Sequence, residues 1–406
     1  MNRICPLENR VREYAWGSFA AIQDLLGLDR GSRTRPMAEL WMGAHPLAPS
    51  LVRAGGARLP LDRVIEEDPE GTLGPFAARA FGGRLPFLFK VLGVRLPLSI
   101  QVHPGVEPAR EGFQRENAAG LALDDPGRFY RDASHKPELL CALTRFHALK
   151  GFRPVGEILP LLEGTAPGGL AGEIEALRER PDGRGLRALV ARILGMDEDR
   201  RKRVIREALR EGGETGEEEG PLVWVRRLAA DFPGDAGVLA PLLMNLVTLE
   251  PGEALEIAPG ELHAYLRGTG LELMANSDNV IRGGLTLKAV DRDELLRVGS
   301  FHPEAARPLR PVRVGSGLAV YPSEAAEFQL GRVRVAPGRD FEAPGERCVE
   351  IHLCLQGEGA FLCGSGGGSV GFSRGDALLV PAGAPAYRVR GDGLLYRATI
   401  PGRIRA

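Results

Sequence analysis

The 406-residue sequence predicts a mainly β protein interrupted by one α-helical insertion. Three observations carry that expectation. Up to about residue 150, short apolar runs are broken by Pro and Gly, as in Leu85-Pro-Phe-Leu-Phe-Lys-Val-Leu92 and Pro97-Leu-Ser-Ile-Gln-Val-His103. Such runs read as strands. From about 155 to 235 the apolar spacing becomes three and four, through Ile174, Leu177, Leu186, Leu189, Val190, Ile193 and Leu194. That is the period of a helix with one buried face. Strand-like sequence then returns at Leu242–Leu249 and again, with Gly/Pro turns, from about 311 to the end.

Each part supports this division. The charged run Asp197–Leu209 continues the helical stretch, and Gly212–Gly220, with four Glu, reads as a solvated loop. Three polar-faced segments lie outside the helical stretch. In Ser99-Ile-Gln101-Val-His103 the polar residues share one strand face, with Leu98, Ile100 and Val102 on the other. Lys136-Pro-Glu138 sets a cation and a carboxylate on one face, and His263-Ala-Tyr265 an imidazole and a phenol. Pro251–His263 has a Pro-Gly turn leading into a strand that begins on histidine. The expected domains are 1–150 with 235–310, a helical insertion at 151–234, and a further β unit at 311–406.

Composition narrows the function. The formal net charge is -1, which argues against a nucleic-acid partner, since those binders carry a basic excess. No apolar run reaches membrane-spanning length and the first residues carry no signal-peptide core, so no membrane partner is expected and the expected compartment is the cytoplasm. The cysteines, Cys5, Cys141, Cys348, Cys354 and Cys363, show no CxxC spacing and read as reduced thiols. Of 52 basic residues only Lys90, Lys136, Lys150, Lys202 and Lys288 are lysine. A lysine kept in so arginine-rich a chain is a candidate for a task that needs a compact charge or a removable proton. Lys202, inside an arginine-rich helical run, is the exception and reads as surface charge.

If the three polar faces look into one barrel, Gln101, His103, Glu138 and His263 converge. Two imidazoles, a carboxylate and an amide oxygen suit zinc with an open coordination position, and would also hold manganese or iron. Taken singly, each of these residues has a commoner structural role; their convergence is what predicts a metal site.

Two C-terminal segments, Cys348–Gly359 and Gly375–Tyr387, resemble the paired motifs of cupin (jelly-roll) barrels. Tyr387 stands where the second motif normally ends on a histidine ligand, so this barrel is expected to hold no metal, with His352 a packed or surface residue. The segments Tyr130–Glu138, His263–Lys288, Ser99–Pro104, Glu39–Gly43 and Tyr14–Gly17 closely resemble signatures of the type I mannose-6-phosphate isomerases, in the order that family uses. The resemblance implies two cupin barrels plus a helical domain, zinc on Gln101, His103, Glu138 and His263, a phosphorylated sugar as substrate, and a monomer.

It further implies an active-site set of Trp16, Glu39, Lys90, Ser99, Lys136, Tyr265, Asp278, Arg282 and Lys288. Within it, Lys136 is the expected proton shuttle, or else an ion-pair partner of Glu39 or Asp278. Arg282 is expected at the sugar oxygens, or else bridged to Asp278. Tyr265 relays a proton or closes the pocket wall. Ser99, Lys90 and Lys288 are expected to hold phosphate, although a protein carboxylate would serve a buried Lys90 as well. His135 is a supporting or catalytic candidate. The implied reaction is aldose–ketose isomerisation through a cis-enediol. The competing readings are a metal-dependent cupin oxidoreductase, which usually gathers three or more histidines, and a non-catalytic sugar-phosphate-binding cupin. Two positions depart from the family pattern. Ser134 replaces Asn, with little expected effect. Leu287 replaces Pro, which frees the backbone ahead of Lys288.

Overall fold

In the strand Phe87–Val94 every residue is buried, and alternate side chains enter different cores. Phe87, Phe89 and Val91 face one way, into a core shared with Leu139, Cys141, Leu271 and Leu273 and, from the C-terminal region, Tyr321, Phe328, Ile351, Leu379 and Tyr396. Leu92 faces the other way, towards Leu140, Ala142, Phe146 and Tyr265. Period-two alternation in a strand covered on both sides produces this sorting. Each large apolar side chain so buried is worth roughly 1.5–3 kcal/mol.

The computed structural model describes residues 1–29, 31, 34–166, 168–211, 219–288, 290–343, 347–364 and 368–402. Among these the strands form two sheets, of ten and eleven strands, and every strand pair is antiparallel. The chain is mainly β with helices, as expected. Neither sheet closes on itself. Most of the predicted solvated loop, residues 212–218, lies outside the described residues.

The ten-stranded sheet is organised around one long strand, His263–Ala275. Its start pairs with Phe146–Phe152 and its remainder with Phe87–Val94. A register shift between Tyr265 and Arg267 marks the bend. Gly268 has φ +141°, and a Cβ there would meet the Phe146 ring at 2.5 Å, so only glycine lets the strand turn this corner. The short strands Glu138–Ala142 and Ile100–Val102 pair with the same long strand. This brings three distant polar-faced segments together.

Five helices, Val155–Thr165, Ala171–Glu179, Gly183–Leu194, Glu198–Glu211 and Pro221–Asp231, fill the stretch read as helical. Asp182 caps the third by accepting from the Arg184 and Gly185 amides. Leu186, Leu189, Val190 and Ile193 are buried at the predicted spacing. This core also takes in Ile100, Val102 and Ile281 from the sheet. Leu98 behaves differently from the expectation: it packs near Tyr265 rather than with Ile100 and Val102, because the strand begins only at Ile100.

The eleven-stranded sheet gathers the strands after residue 311, together with three from the N-terminus. Cys5–Glu8 pairs with Ala377–Val380, and Leu51–Ala54 and Ala57–Pro60 follow it at the sheet edge. Hydrogen bonds therefore tie part of the expected 1–150 unit to the 311–406 unit. The five cysteines are unpaired. Lys202 is at the surface in an i,i+4 pair with Glu198.

Candidate metal centre and active site

His103, Glu138 and His263 come from three segments, and one ligand atom from each lies within 4.8 Å of the others. All three are at most 3% exposed. The Nε2 of His103 is 3.1 Å from Glu138 Oε1, and the Nε2 of His263 is 3.4 Å from Glu138 Oε2. His103 Nδ1 lies 2.7 Å from the Asn279 carbonyl oxygen, and His263 Nδ1 lies 3.1 Å from that of Glu261. A carbonyl oxygen only accepts, so each Nδ1 carries the proton and donates it. In a ring that carries only this proton, Nε2 is a bare acceptor aimed at an acceptor. Burial, aided by the Lys136 charge, holds the His103 imidazole down at about 4, so it is neutral at pH 7. Its buried Nε2 makes no hydrogen bond. Two lone pairs against one carboxylate need a cation between them, and the donor set fits zinc. Gln101 is the register partner of His263 and turns its amide nitrogen to the Ser99 hydroxyl, 3.3 Å away.

The neighbouring charges are arranged around the same carboxylate. Lys136 Nζ lies 3.1 Å from Glu138 Oε1, so its ion pair is with neither Glu39 nor Asp278. Burial opposes charge on Glu138, yet the Lys136 ammonium keeps its carboxyl well below the usual range. The Tyr265 hydroxyl donates to Glu138 Oε2 at 3.3 Å. Burial first, then the Glu138 charge, pushes that phenol upward, so it stays protonated.

Lys90 is buried and lies 2.9 Å from Glu272. Burial disfavours its charge, but Glu272 and Glu39 outweigh it and push the ammonium's pKa up. Of the two partners considered for Lys90, the protein carboxylate is thus present. Asp278 faces His45 Nε2 at 3.2 Å. Glu39 accepts from the Trp41 indole, and Trp16 stacks on Tyr14 at 5.8 Å.

Arg282 has no bridge to Asp278. Burial, and then Arg131, lowers its proton affinity, and Lys288 is lowered first by Arg282. Three cations thus share one region. Leu287 is fully exposed ahead of Lys288, and Leu285 has φ +54°, unusual for a residue with a side chain. His135 is 2.6 Å from Glu327, a residue of the C-terminal region.

The sequence reading missed four residues here: Arg131, Glu272, Asn279 and His45. Asn279 is fully buried. Its side chain accepts from the Arg131 and Asp132 amides at 2.7 and 3.2 Å and donates to the Asp132 and Ser134 carbonyls, both at 2.9 Å. It thus stitches the loop before Lys136 to the loop after the long strand. Ser134 takes part through its main chain.

Comparison with known proteins identifies the family. A family model described as phosphomannose isomerase type I, catalytic domain, matches residues 4–155. Mannose-6-phosphate isomerase of Escherichia coli K12 is 38% identical over 395 residues, covering 96% of this chain and 98% of that protein. The chain belongs to the type I mannose-6-phosphate isomerase family. The human family member is 32% identical over 391 residues, covering 87% of this chain. Among solved structures, a zinc-bound mannose 6-phosphate isomerase superposes with a TM-score of 0.90 at 36% identity, covering 98% of this chain and 99% of that one. A phosphomannose isomerase variant from Salmonella typhimurium also scores 0.90, at 35% identity. Family membership thus comes with a zinc-bound relative of the same fold.

Proposed function

We propose that this chain interconverts mannose 6-phosphate and fructose 6-phosphate, with zinc held by Gln101, His103, Glu138 and His263. The observation that carries this is the buried Glu138 carboxylate facing the Nε2 atoms of two imidazoles, that of His103 without a hydrogen-bond partner, in a chain matched over nearly its whole length by mannose-6-phosphate isomerases. Zinc, when bound, supplies a Lewis acid that polarises the sugar carbonyl and favours negative charge at its oxygens.

The protein's own residues divide the remaining work. In the aldose-to-ketose direction a proton leaves C2 and returns at C1, while the O2 proton passes to O1, through a cis-enediol. Lys136, next to Glu138, is the group assigned to the carbon-to-carbon proton transfer. Arg282 cannot give up its proton, so it serves as fixed positive charge at O1 and O2. Lys288 and Arg131, crowded against Arg282 with mutual repulsion, gain from an arriving phosphate. Lys90, already neutralised by Glu272, orients that carboxylate and the pocket floor. Tyr265, Trp16, Glu39 and Ser99 shape and exclude water from the cavity, and Asp278 fixes His45 beside it.

The architecture proposed is two cupin-like units. The first carries the metal, with the helical segment 151–234 inserted in it. The second, from 311 to 406, borrows strands from residues 5–8 and 51–60 and holds no metal. Among the described residues no helix is long and apolar enough to cross a membrane. A monomer in the cytoplasm completes the reading.

A coupled assay for fructose 6-phosphate formed from mannose 6-phosphate tests it. Activity is expected to vanish with chelator and return with zinc. A folded, zinc-loaded protein that binds the sugar phosphate without converting it would turn the reading into a non-catalytic cupin. Oxygen uptake with iron would turn it into an oxidoreductase.

A further inference from the structure

The loop that carries Lys136 is fixed within its own unit on either side of that residue. Before it, the Asn279 side chain donates to the Asp132 and Ser134 carbonyls, and the Ser277 hydroxyl donates to the Asp132 carboxylate at 2.9 Å. After it, the Ala275 amide donates to the Pro137 carbonyl at 3.0 Å. His135 and Lys136 lie between these anchors. The His135 side chain meets the C-terminal unit, its Nε2 lying 2.6 Å from Glu327 Oε1. Burial would raise the Glu327 carboxyl, but the bond from His135 holds it below its ordinary range. A carboxylate only accepts, so Nε2 carries the proton and donates it.

Glu327 stands on a firmly docked segment. Tyr321 is buried, and its hydroxyl donates to the Gly252 carbonyl at 2.8 Å. The Ser323 hydroxyl and the Glu324 amide donate to one oxygen of Glu256, at 2.8 and 2.9 Å. Glu256 lies on the strand Ala254–Ile257, where it is the register partner of Leu139, and Ile257 is that of Glu138. Phe328, directly after Glu327, is buried in the core that both sheets share. The segment 321–328 therefore holds the neighbouring strand of Glu138 and also the residue before Lys136. The Glu327 side chain is only 14% exposed, and a carboxylate so enclosed keeps its charge only with a donor at hand.

We propose that Glu327 is a positioning residue for the isomerisation, through which the C-terminal unit sets, by way of His135, where the Lys136 ammonium stands. This rests on Lys136 being the proton-transfer group. Two side chains adjacent in sequence are held from different units, His135 by Glu327 and Lys136 by Glu138 at 3.1 Å. A charge-assisted hydrogen bond is short and directional, so it fixes His135 and with it the backbone that leads into Lys136. Proton transfer is sensitive to that placement, since a shift of about 1 Å in a reacting group costs on the order of 10²-fold in rate. The pair joins residues 192 positions apart, so it forms only with the C-terminal unit in place.

Steady-state kinetics with mannose 6-phosphate on the zinc-loaded full chain test this. Glu327→Ala should lower kcat about tenfold, keep KM within about twofold and keep the zinc content of wild type. Glu327→Gln, whose amide oxygen still accepts from His135, should recover kcat to within about threefold of wild type. In a His135→Ala background, Glu327→Ala should have no further effect on kcat, because its route to Lys136 is gone. If the alanine variant does not fold, Glu327→Met, closer in volume to the native side chain, takes its place. Wild-type kcat in the folded variant overturns the proposal. So does an equal loss in the Gln and Ala variants, or a further loss in the His135→Ala background. Those outcomes leave the isomerase function standing, whereas a zinc-loaded wild type without turnover overturns both.

Discussion

Each of the two sheets buries one carboxylate beside a histidine, and the two surroundings differ in kind. Around Glu138, two imidazoles present bare Nε2 atoms to the two carboxylate oxygens, because both Nδ1 protons are used on main-chain carbonyls. Around Glu350, a single imidazole approaches at 3.2 Å through Nε2, the Tyr387 hydroxyl donates, and Arg397 lies 3.1 Å away. His352 Nδ1 has no partner, so Nε2 is free to be the protonated nitrogen that donates to Glu350. The first cluster has acceptors facing acceptors and calls for an ion. Both carboxylates also have a phenol donor and a cation beside them, Tyr265 and Lys136 at Glu138, Tyr387 and Arg397 at Glu350, but the second has one imidazole and no facing pair of bare nitrogens. The second imidazole at Glu138 has no counterpart at Glu350.

The largest effects should fall on the first cluster. His263→Ala is expected to lose bound zinc and to cut kcat/KM by about 10³-fold or more, since one nitrogen donor and the geometry of the site go together. Zinc content and turnover measured on the same preparation check this. Lys136→Met should instead keep its zinc and lose kcat by roughly 10²–10⁴-fold, the range of a general acid–base group. Normal turnover in this variant would remove Lys136 from the proton transfer while leaving the metal site standing.

The pairs that make up this site were readable because strand period is local. Gln101 with His103, Lys136 with Glu138 and His263 with Tyr265 each share a face by spacing alone, and three of the expected ligands do meet. What the spacing could not give was register between distant strands. Glu272 sits opposite Lys90 only because Leu273 pairs with Phe89 and Leu271 with Val91, a contact across 182 positions. Asn279 and Arg131 lay inside the segments singled out, but their roles depend on two loops meeting. The N-terminal strand is a further case. Cys5–Glu8 has an ordinary strand pattern, and nothing in it specifies Ala377–Val380 as partner. In the C-terminal unit, Tyr387 was a visible departure from a ligand motif, while Arg397 as the compensating cation was not.

Arg397→Met tests whether the second cluster is purely structural. It should leave zinc content and kcat near wild type and destabilise the fold by about 3–5 kcal/mol, because Glu350 keeps its burial and loses its cation. Denaturant titration of the zinc-loaded protein measures the loss. A variant that drops zinc as well would mean the two sheets, joined through one core, do not act separately.

The smallest expected effect is on acid sensitivity, and its sign follows from the same contacts. Burial would raise the Glu350 carboxyl, but His352, Arg397 and Tyr387 hold it at about 2, below its ordinary 4.5. A carboxylate held down in this way stabilises the fold fully above 4.5, and that stability fades as pH falls from 4.5 to 2. The amount at stake is roughly 3 kcal/mol at most. Burial holds His352 below its ordinary 6.5, so its share also fades as pH falls, beginning nearer 6.5. Wild type should therefore lose stability on acidification, as both groups take up protons in the unfolded chain first. In Arg397→Met the carboxyl is no longer held so low, so the acid-dependent part of the stability shrinks even though the variant is weaker at pH 7. Unfolding free energies measured between pH 7 and pH 3 should converge for the two proteins towards the acid end. Parallel curves would mean that Arg397 does not set the ionisation of Glu350.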